Sequence, residues 1–164
     1  MTGWLGHADP FAFVSEYRPA AGILHYKCST PSILALAPLE CGVDIMLEAG
    51  MPALRRKSMA LGDLFIRLMA ERLDGKGFRP ACPLDAETRG SQVSFHHADG
   101  YAIMQALIEQ GVVGDFRAPD IMRFGLTPAY VRYADVWDAI QILAEIMDAR
   151  AYDKPEFKVK ATVT

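Results

Sequence analysis

Ten residues, Ile121 to Tyr130, reading IMRFGLTPAY, constrain the fold more than any other stretch. Met122, Phe124 and Leu126 alternate with Ile121, Arg123 and Gly125. A period of two belongs to a strand with two unlike faces. One face offers three large apolar side chains to a core. The other carries a single guanidinium, and Gly125 leaves open space two positions along it, where a small anion fits. Thr127-Pro128 then ends the strand, because proline cannot donate to the ladder. A planar guanidinium on a rigid strand suits two-pronged capture of a carboxylate. The same spacing also describes an edge-strand arginine paired to a surface acid, and spacing alone does not separate the two.

Composition narrows what surrounds such a strand. With 164 residues, 51% of them hydrophobic and 23% charged, the chain can bury a core of its own. A net charge of -3, with no basic run beyond Arg55-Arg56-Lys57, argues against nucleic acid as a partner. No apolar run reaches the roughly 18 residues of a membrane span. The opening MTGWLGHADP lacks the basic start and apolar centre of a signal peptide. Cys28, Cys41 and Cys82 are widely spaced and form no CxxC, which fits a reducing cytoplasm better than a disulfide framework or a zinc ribbon. His96 and His97 are adjacent and on a strand point to opposite faces, so no metal site is expected there.

Residues 1–28 are rich in Gly, Pro and aromatics, and Trp4, Leu5, Phe11 and Phe13 need something to pack against. Ser29-Thr30-Pro31 reads as a helix start, with Thr30 as cap and Pro31 in the first turn. A helix start with a hydroxyl is also a ready anion site. The following run, from Ile33 to Leu47, is apolar nearly all round, which predicts a buried helix kinked at Pro38. Gly50-Met51-Pro52 breaks the chain and opens a second helix of roughly 20 residues, about 30 Å long, with Leu54, Leu61, Leu64, Phe65 and Leu68 inward. Its Arg55, Arg56, Lys57, Arg67 and Arg72 read as a solvated face. From Phe78 on, the pattern predicts strands at 78–82, 91–97, 112–116 and along the Arg123 stretch. Helices are predicted at 99–110 and 135–150. Ala118-Pro119-Asp120 turns the chain into the Arg123 strand. Residues 78–150 therefore read as an α+β lobe with an antiparallel sheet.

Six segments carry a resemblance, in order and at matching spacing: GWLGHADPFAF, YKCSTPSILAL, MPALRRKSMAL, RGSQVSFHHADGYAIMQALI, GVVGDFRAPDIMRFGLTPAY and DVWDAIQIL. Together they resemble the C-terminal part of bacterial kynureninases, α/β enzymes of pyridoxal-phosphate fold type I, related to class V aminotransferases. The likeness runs over nearly the whole chain. It implies that residues 1–50 are a remnant of a large cofactor-binding domain, 51–77 a long connecting helix and 78–164 a small α+β domain.

The resemblance also assigns roles. Trp4 and Thr30 match residues that reach the phosphate of pyridoxal 5'-phosphate, or the substrate beside it, from the neighbouring subunit of a homodimer. Leu5 stands where many members carry an aromatic against the substrate ring, and Ser29 adjoins Thr30 where members often have glycine. Arg123 matches the arginine that clamps the α-carboxylate of L-kynurenine. Lys27 and Pro38 depart locally from the family pattern. The implied reaction is hydrolysis of L-kynurenine to anthranilate and L-alanine in tryptophan catabolism, carried out in the cytoplasm. The lysine that holds the cofactor covalently, the aromatic stacked on its ring and the aspartate on its ring nitrogen have no counterpart here. The chain by itself is therefore expected to be inactive. Two rival readings remain: a non-catalytic remnant that dimerises or pairs with a separate polypeptide, and a binding module built on the 78–150 lobe.

Overall fold

The computed structural model of the chain describes residues 2–159. It divides after Glu48 into two compact units, which are taken separately.

The first unit opens with a 3-10 turn, Trp4–Gly6, and a second, Gly22–Tyr26, which pack on each other. Between them the chain doubles back. Ala8 N–H donates to the Arg18 carbonyl at 2.7 Å and Ala20 N–H to the Gly6 carbonyl at 2.9 Å. Helix α1, Ile33–Ala49, follows. Its Ser32 carbonyl accepts from Ala35 and Leu36 N–H at 3.2 and 3.0 Å. The cap position is thus Ser32, and not Thr30 as the sequence predicts, because Pro31 and Ser32 continue the non-helical lead-in. Pro38 sits inside the helix. The expectation of a buried helix is overturned: α1 has no buried residue, and Leu34 is 88% exposed. Its sequence is apolar on every face, but no other described element covers those faces.

The second unit is built on α2, Met51–Arg72, which runs 22 residues with Pro52 in its first turn. Leu54, Leu61, Phe65 and Leu68 face inward at helical spacing, as predicted, while Leu64 is half-buried. Next come β1, Arg79–Pro80; β2, Gln92–His96; α3, Gly100–Glu109; β3, Asp115–Arg117; β4, Ile121–Gly125; α4, Tyr133–Asp148; and the single turn α5, Pro155–Lys158. The predicted alternation of helices and strands is therefore present, but with shifted ends: β3 covers Asp115–Arg117 where 112–116 is predicted, and α4 begins at Tyr133, before the predicted 135. The four strands form one antiparallel sheet in the order β1-β2-β4-β3. This is an α+β architecture, with the helices gathered on one face.

That face holds the core. Val93 and Phe95 of β2 and Met122 and Phe124 of β4 meet Phe65 of α2, whose ring lies 4.9 Å from that of Phe124 and 6.1 Å from that of Phe95. Ile103 and Leu107 of α3 and Val136, Ile140 and Leu143 of α4 close it. Full burial of each such side chain contributes about 1.5–3 kcal/mol. The alternation Met122-in, Arg123-out, Phe124-in sets the register of the sheet, since a one-residue slip would turn the guanidinium into the core.

The basic face of α2 is less solvated than the sequence suggests. Arg55 donates to the carbonyls of Ala86, Glu87 and Arg89, Lys57 donates to Pro128 O at 2.7 Å, and Arg72 lies 4.0 Å over the Trp137 ring. These bonds tie the loops after β1 and β4 to the helix. Among the described residues, no helix is long and apolar enough to cross a membrane.

Candidate functional site

The sequence-predicted site residues fall into two groups, one in each unit. In the first unit, Trp4 and Leu5 stand on the opening 3-10 turn, between Gly3 and Gly6. A Cβ at Gly3 would lie 2.2 Å from the Cys28 carbonyl oxygen, and one at Gly6 would lie 2.5 Å from that of His25. Neither position admits a side chain. The two glycines let the turn press directly on the 25–28 backbone, with Gly3 against Cys28, the residue before Ser29.

The indole of Trp4 is 60% exposed. Its Nε1–H donates to the Pro10 carbonyl, and its ring sits 5.8 Å from that of Phe11 and 6.3 Å from that of Phe13. Trp4 therefore presents an aromatic face with its one donor already used. Beside it is an open cleft of about 470 Å³, lined by Trp4, His7, Phe13 and Tyr17 among others. Leu5 is half-buried, and Ser29 and Thr30 are exposed. Thr30 lies two residues before the Ser32 cap, so its hydroxyl is upstream of the helix start.

In the second unit, Arg123 occupies the centre of β4, bonded between β2 and β3. Its Cα faces Ser94 on one side and Asp115 on the other. Ser94 is buried, its N–H directed at Cys82 Sγ (3.4 Å) and its Oγ accepting from Gln92 Nε2 (3.0 Å). The guanidinium of Arg123 lies on the sheet face away from the core, with 31% of the side chain exposed. Two positions along the same face, a Cβ built on Gly125 would find nothing within 4 Å. The predicted open space beside the arginine is there.

Of the two readings that the spacing leaves open, the pairing with an acid is present, although β4 is an interior strand and not an edge. Arg123 Nε donates to Asp115 Oδ2 at 2.9 Å, and Nη2 donates to the same oxygen. The reason is the β3–β4 hairpin, whose register sets Asp115 directly across from Arg123. Arg117 Nη2 reaches the same Asp115 oxygen at 3.3 Å. Both acid and arginine are part-exposed, so the pair adds at most about 1 kcal/mol to stability.

Sequence reading missed a second arginine. Arg89 is buried, with its side chain only 2% exposed, and it donates to Leu84 O at 2.8 Å and to Asp63 Oδ1 at 2.6 Å. It locks the loop before β2 onto α2. The one available signal was Gly62, a glycine inside a helix, which makes room for a close neighbour. Among the described residues, no group of His, Cys, Asp and Glu is arranged to hold a metal ion.

Comparison with known proteins adds the family. Residues 54–143, more than half of the chain, match the kynureninase C-terminal domain. The whole chain is 47% identical over 164 residues to the kynureninase of Pseudomonas fluorescens, and those residues make up 39% of that protein. It is 45% identical to the kynureninases of Burkholderia mallei (strain ATCC 23344) and Burkholderia pseudomallei (strain K96243), again over 39% of their length. The chain thus spans well under half the length of these relatives.

Proposed function

Because the chain belongs to the kynureninase family through its C-terminal domain, we propose that it serves as the C-terminal part of a pyridoxal-phosphate-dependent kynureninase. That enzyme adds water across a C–C bond of L-kynurenine, releasing anthranilate and L-alanine. The observation that carries the reading is Arg123. A guanidinium on an interior strand, on the solvent face of the sheet and beside the open space over Gly125, is built to receive the α-carboxylate of an amino acid.

The remaining assignments follow the same reading. Trp4 and Thr30 reach the cofactor phosphate or the substrate beside it, Thr30 with its hydroxyl and Trp4 with its aromatic face because its one donor bonds Pro10. Leu5 and Ser29 contribute to substrate binding. The exposed apolar α1 supports an assembly, a homodimer, in which another polypeptide surface covers it. The three free cysteines suit a reducing cytoplasm.

Pyridoxal phosphate, when bound, supplies the electron sink for C–C cleavage. The residues here fit that group only in part. Lys57 donates to a carbonyl, Lys76, Lys154 and Lys158 pair with carboxylates, and Lys27 is exposed. A lysine that holds the cofactor must be desolvated enough to lose its proton. None of these five is buried, and Lys160 lies outside the described residues. What the chain contributes is binding and orientation. Arg123 fixes the substrate carboxylate through its guanidinium.

The experiment compares two proteins given pyridoxal phosphate and L-kynurenine, with anthranilate fluorescence as the readout. One is the chain alone, expected to release none. The other is the Pseudomonas fluorescens enzyme with its matching C-terminal segment replaced by this sequence, expected to turn over. A folded, cofactor-loaded hybrid without anthranilate release defeats the proposal.

A further inference from the structure

The ion pair between Asp115 and Arg123 has two opposite interpretations. Asp115 is either an internal competitor that a substrate carboxylate must evict, or a fixed support that aims the guanidinium. The geometry favours the second. A guanidinium has two edges that bind a carboxylate by two parallel bonds, one through Nε and an Nη and the other through both Nη atoms. Asp115 occupies the first edge alone, through its single oxygen Oδ2. Among the described residues no hydrogen bond reaches Nη1, so the second edge keeps its donors. Charge agrees with this. The same Oδ2 also lies 3.3 Å from Arg117 Nη2, so one carboxylate is shared by two guanidinia and the cluster keeps a net positive charge. A competitor that left the site neutral would have suited the first interpretation.

We infer that Asp115 is a positioning residue for the carboxylate clamp: it holds Arg123 by the Nε edge and leaves Nη1 and the second hydrogen of Nη2 to an incoming carboxylate. Strand geometry enforces this, since Asp115 and Arg123 are directly opposed in the β3–β4 register. A long side chain that would otherwise sample many rotamers is ordered before the ligand arrives, which removes part of the cost of binding. This inference rests on the assignment of Arg123 to the substrate carboxylate, and the test separates the two.

The test uses the 164-residue chain, nitrogen-15-labelled, titrated with L-kynurenine while the arginine Nε–H and Nη signals are followed by NMR. In the parent chain, the Arg123 Nε–H signal should exchange slowly with water and stay in place on titration, while the Nη signals shift. Asp115→Ala should speed Nε–H exchange and weaken binding roughly 2- to 12-fold, the loss of one pre-ordered side chain. Asp115→Asn, which keeps an acceptor oxygen without the charge, should fall between. Retained dispersion of the 121–126 amides shows that β4 is intact in each variant.

Tighter binding by both variants would mark Asp115 as a competitor and overturn the inference, as would unchanged binding in both. Arg123→Lys is the separating control. If it binds like the parent chain, or if no Arg123 signal responds in the parent chain, the clamp assignment itself fails, whatever Asp115 does.

Discussion

Replacing Gly62 by alanine should destabilise the chain, against the usual preference of helices for alanine. Gly62 lies inside α2, where alanine is normally better by about 1 kcal/mol. Here a Cβ would fall 2.8 Å from Nη2, 3.0 Å from Nε and 3.2 Å from Cζ of Arg89. That guanidinium is buried and held by Leu84 O, Pro83 O and Asp63 Oδ1, so it cannot swing into solvent without losing them. Hydrogen bonds involving a charged group are worth about 1.5–3 kcal/mol each. If the shift forfeits one bond and strains the others, the loss is about 2–3 kcal/mol. Set against the helix gain, the net destabilisation is about 1–2 kcal/mol. Urea unfolding followed by far-ultraviolet circular dichroism measures it, with an unchanged slope expected. In an Arg89→Ala background the obstacle is gone, and the same substitution should stabilise by about 1 kcal/mol. A Gly62→Ala chain as stable as its parent, or a cycle without this change of sign, would refute the argument.

In the hybrid enzyme, Arg123→Lys keeps the charge but loses the planar fork. It should lower kcat/KM roughly 10- to 150-fold, corresponding to about 1.5–3 kcal/mol, and unchanged kinetics would dismiss the clamp. Amides of Ile33–Ala49 should exchange nearly as fast as an unfolded peptide in a preparation shown to be monomeric, and strong protection there would contradict the exposure of α1. Asp135 accepts bonds from the Arg132 guanidinium and backbone N–H, which hold its carboxyl below the usual carboxylate range. Its support of the start of α4 is therefore full above about pH 4 and lost as pH falls through the lowered value. Carbon chemical shifts of residues 133–136 should lose helical character in acid, and Asp135→Asn should show the loss already at neutral pH.

The second unit was legible because its periodicities are local. Val93 and Phe95, Met122 and Phe124, and Val136, Ile140 and Leu143 all face inward as their spacing predicts. What periodicity could not supply was partners. The pairing of Arg123 with Asp115 depends on the register of a hairpin, and the burial of Arg89 depends on a glycine 27 positions away in sequence and adjacent in space. Arg55 and Lys57 read as solvated because a helical wheel shows a polar face, not the loop carbonyls that meet it. The apolar run of α1 reads as buried because hydrophobicity predicts that a surface will be covered, not which polypeptide covers it. Thr30 reads as the cap because a hydroxyl residue followed by proline is a common helix start. The choice of Ser32 is made by backbone geometry.

The two outer strands of the sheet have a consequence for handling the protein. An uncovered strand edge is a template on which a second chain can add. Here one edge is β1, only two residues long and ending in Pro80, which has no N–H to offer. The other is β3, three residues long, with Asp115 and Arg117 at its ends. Short length, proline and alternating charge all discourage a stranger's backbone from docking. Asp115 and Arg117 therefore bear on solubility as well as on Arg123. Apolar replacements at both would leave Phe116 on a strand edge without charged guards and would favour fibrous or amorphous association in concentrated solution, whatever became of ligand binding.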